Sequence, residues 1–521
     1  MTPHAPPRRL AVSASWNLAG IVLPSLAALL TVPPLVHALG VERFGVLTLA
    51  FMVVGYFSLF DMGLSRAVTR ELADCLRRSA PEEGRRALWT AIALLGGFGA
   101  VGGALGWVLA RPLVGAVADP SAELFEETVA TFRILALSIP AVVLGTGLRG
   151  ALEATHRFDL TNAVRIPTGV LMFAAPLAAA RHTPSLPLAV TALVAVRIVG
   201  AVAQWAAVAH VLPAVGRPCA PDRGSADRLL RAGAWMTVSN VVGPLMVNFD
   251  RLLVGALLSL AAVTYYATPY EVATKLLVLP GALAGVLFPA FAAARAEPAA
   301  RTLRLYQDGV AAVVVGTVGA AFVLACFAPE VLARWLGGEF PLRSVGVLRW
   351  LMLGIVANAV GQIPFTVLQA RGRADLTGKL HLAEVPFYGA ALVVLTRGAG
   401  IDGVAIAWSA RAVVDAAVLF WLGAREQGVR VRDLVRAPMV PLLLVAAGAV
   451  PMAFESAVAR AAYAVVYAVG YAVTAWRWGL PAPMRERLAV GVRVRWRAVR
   501  RRVVVPPSPR HAAADPSPEP R

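Results

Sequence analysis

Apolar residues in this chain run on for about 20 positions or more before a charge, proline or glycine interrupts them. They do not form narrow stripes that leave a polar helix face. A helix rises 1.5 Å per residue, so about 20 apolar residues cross a hydrocarbon core of roughly 30 Å. Fourteen runs predict helices near 11–38, 45–66, 87–117, 130–152, 160–180, 186–212, 233–258, 262–290, 306–335, 344–370, 376–396, 401–424, 437–453 and 457–476. The first run reaches about Leu39, too long for the core of a signal peptide, and reads as an uncleaved span. The pattern predicts an all-α polytopic membrane protein with about 14 transmembrane helices.

An internal repeat organises these helices. Leu152-Glu-Ala-Thr-His-Arg157-Phe-Asp159-Leu-Thr161 aligns with Leu368-Gln-Ala-Arg-Gly-Arg373-Ala-Asp375-Leu-Thr377 at an offset of 216. A weaker match pairs Trp16 with Trp235 and Leu39-Gly40 with Leu258-Ser259. Both copies of the stronger match join the fourth to the fifth helix of a six-helix set. Six is even, so both sets start on the same side: a direct repeat about an axis along the membrane normal. The expected units are an N-lobe over 1–215, a C-lobe over 216–424, two extra helices over 425–476 and a basic, proline-rich tail over 477–521.

Composition agrees. Of 521 residues, 58% are apolar and 15% charged, which excludes a soluble enzyme, a disordered chain and a disulfide scaffold. The formal charge of +19 is nearly all arginine, lying in short loops and the tail beside apolar runs rather than on a nucleic-acid-binding face. The loops after even-numbered helices hold most of it, including Arg70, Arg77, Arg78, Arg85 and Arg86 after the second. The loop after the third is acidic, with Asp119, Glu123, Glu126 and Glu127. The positive-inside rule then puts both termini in the cytoplasm.

The informative side chains are charges within spans, each costing about 2.5–3.5 kcal/mol even on insertion-based scales and therefore facing an interior or a wet cavity. They are Asp61, Arg165, Arg197, Asp250, Arg251, Glu271, Lys275, Arg411 and Asp415. Glu271 with Lys275, and Arg411 with Asp415, share a face at i,i+4 spacing and read either as structural bridges or as site residues. Arg165 and Arg197 have no acid nearby in sequence, leaving a bridge to an acid such as Asp61 or an anionic ligand. Cations outnumber acids near the midplane, and a guanidinium donates two parallel hydrogen bonds to phosphate, so the balance leans toward an anionic cargo.

Other features carry less. Gly145-Thr-Gly-Leu-Arg-Gly150 matches a dinucleotide-binding pattern but lies inside a span with no preceding strand, and no P-loop is present. No cofactor is expected. Cys75, Cys219 and Cys326 form no metal-binding spacing, and His381 with Glu384 is weak evidence of a metal. The Gly99/Gly103 and Gly102/Gly106 spacings predict close helix packing. Tyr265, Tyr266 and Tyr270 read as an interfacial aromatic belt.

The opening Asn17 to Pro33, then Leu39-Gly40-Val-Glu-Arg-Phe44-Gly45 and Phe60-Asp61-Met-Gly63-Leu64, resembles the start of the polysaccharide-repeat (Wzx-like) flippases. These belong to the multidrug/oligosaccharidyl-lipid/polysaccharide exporter superfamily. Asn248-Phe-Asp250-Arg251-Leu-Leu-Val-Gly255, then Tyr266-Ala267, echoes it in the second half. The resemblance implies a V-shaped pair of six-helix lobes working by alternating access on a polyprenyl-diphosphate-linked oligosaccharide, without covalent chemistry. Intramembrane charge then assigns the headgroup to Arg165, Arg197, Arg251, Lys275 and Arg411, and proton or sodium coupling to Asp61, Asp250 and Glu271. Expected partners are the lipid-linked oligosaccharide, membrane lipids and a polysaccharide polymerase or glycosyltransferase, with no nucleic acid. The alternatives are a cation-coupled drug or metabolite antiporter, a peptidoglycan-precursor flippase of the same fold, and a membrane-embedded glycosyltransferase or polymerase. The short outer loops leave the last little room for a catalytic domain.

Overall fold

The computed structural model describes residues 7–57, 64–117, 122–155, 157–213, 217–294, 299–435, 456–476 and 485. Every regular element among them is helical. The first half comprises α1 (Pro7–Leu39), α2 (Val41–Phe57), α3 (Leu64–Arg77), α4 (Pro81–Val117), α5 (Ala122–Ala136), α6 (Ile139–Ala154), α7 (Phe158–His182) and α8 (Leu186–Val211). The second comprises α9 (Arg223–Leu257), α10 (Leu260–Lys275), α11 (Val278–Ala293), α12 (Ala299–Cys326), α13 (Ala328–Trp335), α14 (Phe340–Ala370) and α15 (Ala374–Gln427). α16 (Val431–Val435) and α17 (Ala457–Thr474) follow. Among the described residues eight helices are long and apolar enough to cross a membrane, or nine if α10 and α11 form one bent span. The protein is thus an all-helical, multi-pass membrane protein. The helix expected at 437–453, most of the tail and Asp61 lie outside the described residues.

Three expected spans are broken in two, and proline explains each break. A proline lacks an N–H and its ring clashes with the carbonyl four residues earlier. Pro140 sits just after the α5–α6 break, Pro280 after the α10–α11 break, and Pro329 after the α12–α13 break. The α10–α11 pair bends by 41°. The spans expected at 376–396 and 401–424 are the two arms of α15, which turn at Gly400, whose φ of 59° and ψ of −138° suit only glycine. A Cβ at Gly403 would overlap the Leu395 carbonyl, so the chain doubles back tightly there.

The repeat is visible in its hydrogen bonds. Arg157 N–H donates to the Leu152 carbonyl at 3.3 Å, and Arg373 N–H to the Leu368 carbonyl at 2.9 Å. Each arginine then pairs with the acid two residues on: Arg157 with Asp159 at 2.9 Å and Arg373 with Asp375 at 3.3 Å. The same residues close the same turn in both halves, before α7 and before α15.

α1 packs on α7, α7 on α8, and α4 on α6; in the second half α14 packs on α10, α11, α12 and α15. The anticipated glycine packing is present: a Cβ at Gly99 would lie 2.7 Å from Pro140 Cα, and one at Gly106 3.2 Å from Ala136 Cβ. The halves meet where α2 lies on α10. A Cβ at Gly45 would overlap the Leu260 carbonyl, and Thr264 Oγ1 donates to the Val41 carbonyl at 2.7 Å. Trp335 Nε1 donates across the seam to the Leu29 carbonyl at 2.8 Å. α9 also bridges the halves. Its Arg228 pairs with Glu71 at 2.9 Å, and the Asp222 N–H ahead of it donates to Thr90 Oγ1 at 2.9 Å. α17 rests on α12 through the stacked Phe322 and Tyr467, turning Val458, Val465, Val466 and Val469 outward as a lipid-facing side.

Candidate functional site

Two cavities and one ionic cluster collect the intramembrane charges. The first cavity, about 440 Å³, lies wholly in the first half between α1, α6, α7 and α8. Arg149, Arg165 and Arg197 line it with Ser25, Thr146, Thr168 and Gln204, and no acid is among the described residues that line it. Arg165 is exposed and has no acid in ion-pair reach among the described residues. Arg197 is half-buried; Nη2 contacts Met172 Sδ at 3.4 Å and the buried Nε has no hydrogen-bond partner among the described residues. Arg149 lies 3.7 Å from Glu153, both ends of that pair being largely exposed. The helix geometry accounts for the grouping: Gly145, Thr146 and Arg149 fall on one face of α6 at i, i+1 and i+4.

A second cavity, about 260 Å³, lies at the seam between α1, α2 and α7 on one side and Arg251, Ala267, Thr268 and Glu271 on the other. Met172 lines both cavities, so they adjoin there. Arg251 is buried and is not free: Nη2 lies 3.3 Å from Glu271, and its guanidinium sits 4.9 Å over the Tyr270 ring. Glu271 also takes Lys275 Nζ at 3.1 Å, as their spacing predicted. Asp250, fully buried, accepts from the Arg251 N–H at 2.7 Å and from the Tyr266 hydroxyl at 2.5 Å. This corrects the aromatic-belt expectation. Tyr266 and Tyr270 are buried inside the second half, and Tyr266 serves as a hydrogen-bond donor to a buried carboxylate.

The ionic cluster lies between the two arms of α15. Arg411 Nη1 lies 3.4 Å from Glu384 across the hairpin, and Asp415 lies 3.5 Å from His381 Nε2. The expected Arg411–Asp415 pair along one helix is therefore replaced by two pairs across the hairpin. Antiparallel arms bring those side chains opposite one another, which spacing within either arm cannot reveal. Arg411 also lies 5.2 Å over the Tyr388 ring. His381 and Glu384 thus belong to an ion-pair network, and no grouping able to hold a metal occurs among the described residues.

The structure brings Arg165 and Arg197 together in one acid-free cavity, and Arg251 with Glu271 onto the seam. It puts Lys275 at the edge of that network and Arg411 between the arms of α15, over Tyr388. Arg149 was missed as a cavity cation. Its only sequence signal was its place in the glycine pattern rightly set aside as a nucleotide loop, which lies inside α6. Outside the membrane, hydrogen bonds from Ser225 to the Asp222 carboxylate hold it below the usual carboxylate range, at the start of α9.

Comparison with known proteins gives a consistent result. Residues 10–294 match a family model described as "Polysaccharide biosynthesis protein". A Shigella flexneri protein assigned as an O-antigen transporter is 29% identical over 416 residues, which cover 79% of this chain and 96% of that one. Among solved structures, the lipid II flippase MurJ in an inward closed conformation aligns with a TM-score of 0.67 at 11% identity, covering 90% of this chain and 98% of its own. An inward-facing multidrug resistance MATE family transporter of the MOP superfamily aligns with a TM-score of 0.65 at 16% identity, covering 80% and 94%. At these identities the two structures establish the shared fold.

Proposed function

The chain belongs to the polysaccharide biosynthesis protein family, and from that premise we propose that it is a flippase for a polyprenyl-diphosphate-linked oligosaccharide. On this reading it carries the lipid from the inner to the outer leaflet of the cytoplasmic membrane for surface-polysaccharide synthesis, without covalent chemistry. The observation that carries the reading is the acid-free cavity holding Arg149, Arg165 and Arg197. Guanidinium groups inside a membrane with no acid beside them, as Arg165 and Arg197 are among the described residues, are costly unless an anion completes them, and a diphosphate supplies the bidentate acceptors they suit. Arg165 and Arg197 are the primary headgroup ligands, with Arg149 at the rim. Arg251 serves as the next cation along the path past Met172, while Lys275 and Arg411 act through their pairing with Glu271 and Glu384.

Coupling to protons or sodium falls to Asp250 and Glu271 and, from its sequence position alone, to Asp61. Glu271 is the most direct candidate because it lies on the seam cavity wall and bridges two cations, so a change in its charge frees Arg251. Both termini are cytoplasmic on this reading, the lobes correspond to residues 1–215 and 216–424, and a polymerase or glycosyltransferase acts before or after it. The test is depletion of the protein with leaflet-resolved measurement of lipid-linked oligosaccharide. Accumulation on the cytoplasmic leaflet, restored by the wild-type chain but not by Arg197→Gln, supports the flippase. Unchanged surface polysaccharide with lost drug tolerance favours a cation-coupled antiporter and defeats it.

A further inference from the structure

Behind α2, on the side away from the seam cavity, lies a third space of about 410 Å³. α2 divides the two: Phe44, Thr48 and Phe51 face the seam cavity, while Val46, Leu49 and Val53 face the third space, each set at helical spacing. α4, α5 and α6 form its other walls, and Leu252 and Leu260 close it from the second half. The space therefore crosses the same α2–α10 junction that holds the halves together. Leu105 and Leu109, respectively 52% and 43% exposed, mark its opening on the outer surface of α4. Among the described residues its wall is apolar save for Thr128, which is buried and whose hydroxyl has no hydrogen-bond partner there.

We propose that this groove binds the polyprenyl chain of the transported lipid, and that α2 separates the chain from its charged headgroup. The proposal rests on the flippase reading. Two observations select a prenyl chain over bulk phospholipid. The groove is a concave space walled by both halves, whereas the outward faces of α4 and α17 are simple lipid-facing surfaces. It lies one helix thickness, about 10 Å, from the seam cavity, which adjoins the Arg165/Arg197 cavity at Met172, so one amphiphile can have its charged and apolar parts on either side of α2. Because the groove crosses the seam, separation of α2 from α10 joins it to the seam cavity. Head and tail then leave together, sideways into the bilayer.

The experiment uses the full chain in phospholipid vesicles and a long-chain polyprenyl diphosphate bearing a photoactivatable group on its chain. Peptides from α4 and α5 should be labelled saturably. Unlabelled polyprenyl diphosphate should suppress that labelling, and added saturated phospholipid should not. Leu105→Trp fills the mouth of the groove from an exposed position; displacing about two methylenes of burial should weaken labelling by about tenfold. Geranyl diphosphate, too short to occupy the groove, should bind wild type and Leu105→Trp equally through the arginine cavity. Labelling that never saturates, that phospholipid displaces equally, or that Leu105→Trp leaves unchanged overturns the groove. Failure of geranyl diphosphate to bind wild type, with saturable groove labelling retained, overturns the arginine-cavity reading and leaves the groove standing.

Discussion

The two halves of this transporter close the same turn with the same residues, yet treat charge in opposite ways. In the first half Arg165 and Arg197 project into a cavity lined by no acid. In the second, Arg251, Lys275 and Arg411 each lie within 3.4 Å of a carboxylate. The halves share a scaffold turn but carry different ionic chemistry on it. The first half has positive charge left to offer a ligand; the second holds its charges in networks whose strength depends on partner and protonation state.

The largest effect that sharpens this contrast concerns stability. Arg251→Met removes the buried guanidinium 3.3 Å from Glu271 and leaves that carboxylate to Lys275; breaking a fully buried pair costs about 3–5 kcal/mol, and the partly exposed Glu271 end brings the loss here below that range. Thermal unfolding in detergent should show the loss. Arg197→Met should do the reverse, because removing an uncompensated intramembrane charge relieves up to about 2.5–3.5 kcal/mol. Its protein should be at least as stable as wild type while binding a prenyl diphosphate about 10- to 100-fold more weakly, the worth of one charged hydrogen-bonding partner. A destabilised Arg197→Met with intact binding would break the contrast.

Smaller effects lie at the seam. Gly45→Val forces α2 off the Leu260 carbonyl, an overpacking of about 1–3 kcal/mol that disfavours contact between the halves. In a chain carrying Val41→Cys and Thr264→Cys, the disulfide yield should fall when Gly45→Val is added; an unchanged yield means that the junction does not depend on this approach. The smallest effect is at Asp222, which caps α9 by accepting from the Ser225 N–H. Its carboxyl titrates below the usual range when folded, so the cap's contribution is full above that range, declines as pH falls through it, and is gone below the depressed value. Hydrogen exchange at Ser225 and Ala226 should rise with acidification in wild type and be pH-insensitive, apart from intrinsic exchange, in Asp222→Asn.

Much of the fold was legible because a membrane makes the hydrophobic code coarse. Long apolar runs, the Leu152/Leu368 repeat and the glycine spacings of α4 each reflect local chemistry that acts wherever the chain goes. The proline breaks at Pro140, Pro280 and Pro329 were equally local, but apolar runs conceal them, and the expected spans ran straight through. The site was legible only as an inventory. Arg165 and Arg197 stood out for lacking a nearby acid, and Glu271 with Lys275 for their spacing. Arg149 went unnoticed, because what makes it part of the cavity is the position of α6 against α7 and α8.

The sequence by itself determined that the chain crosses a membrane many times, that its halves repeat, and which charges its spans contain. Tertiary structure alone decided which of those charges are neutralised. Burial energy fixes the existence of a helix from its own residues, but the cost of a charge depends on what lies within a few ångströms of it, and those neighbours come from distant parts of the chain. Arg411 and Asp415 share a helix face, yet each found its partner across a hairpin. Arg197 was given none among the described residues, and so keeps its charge available for a ligand.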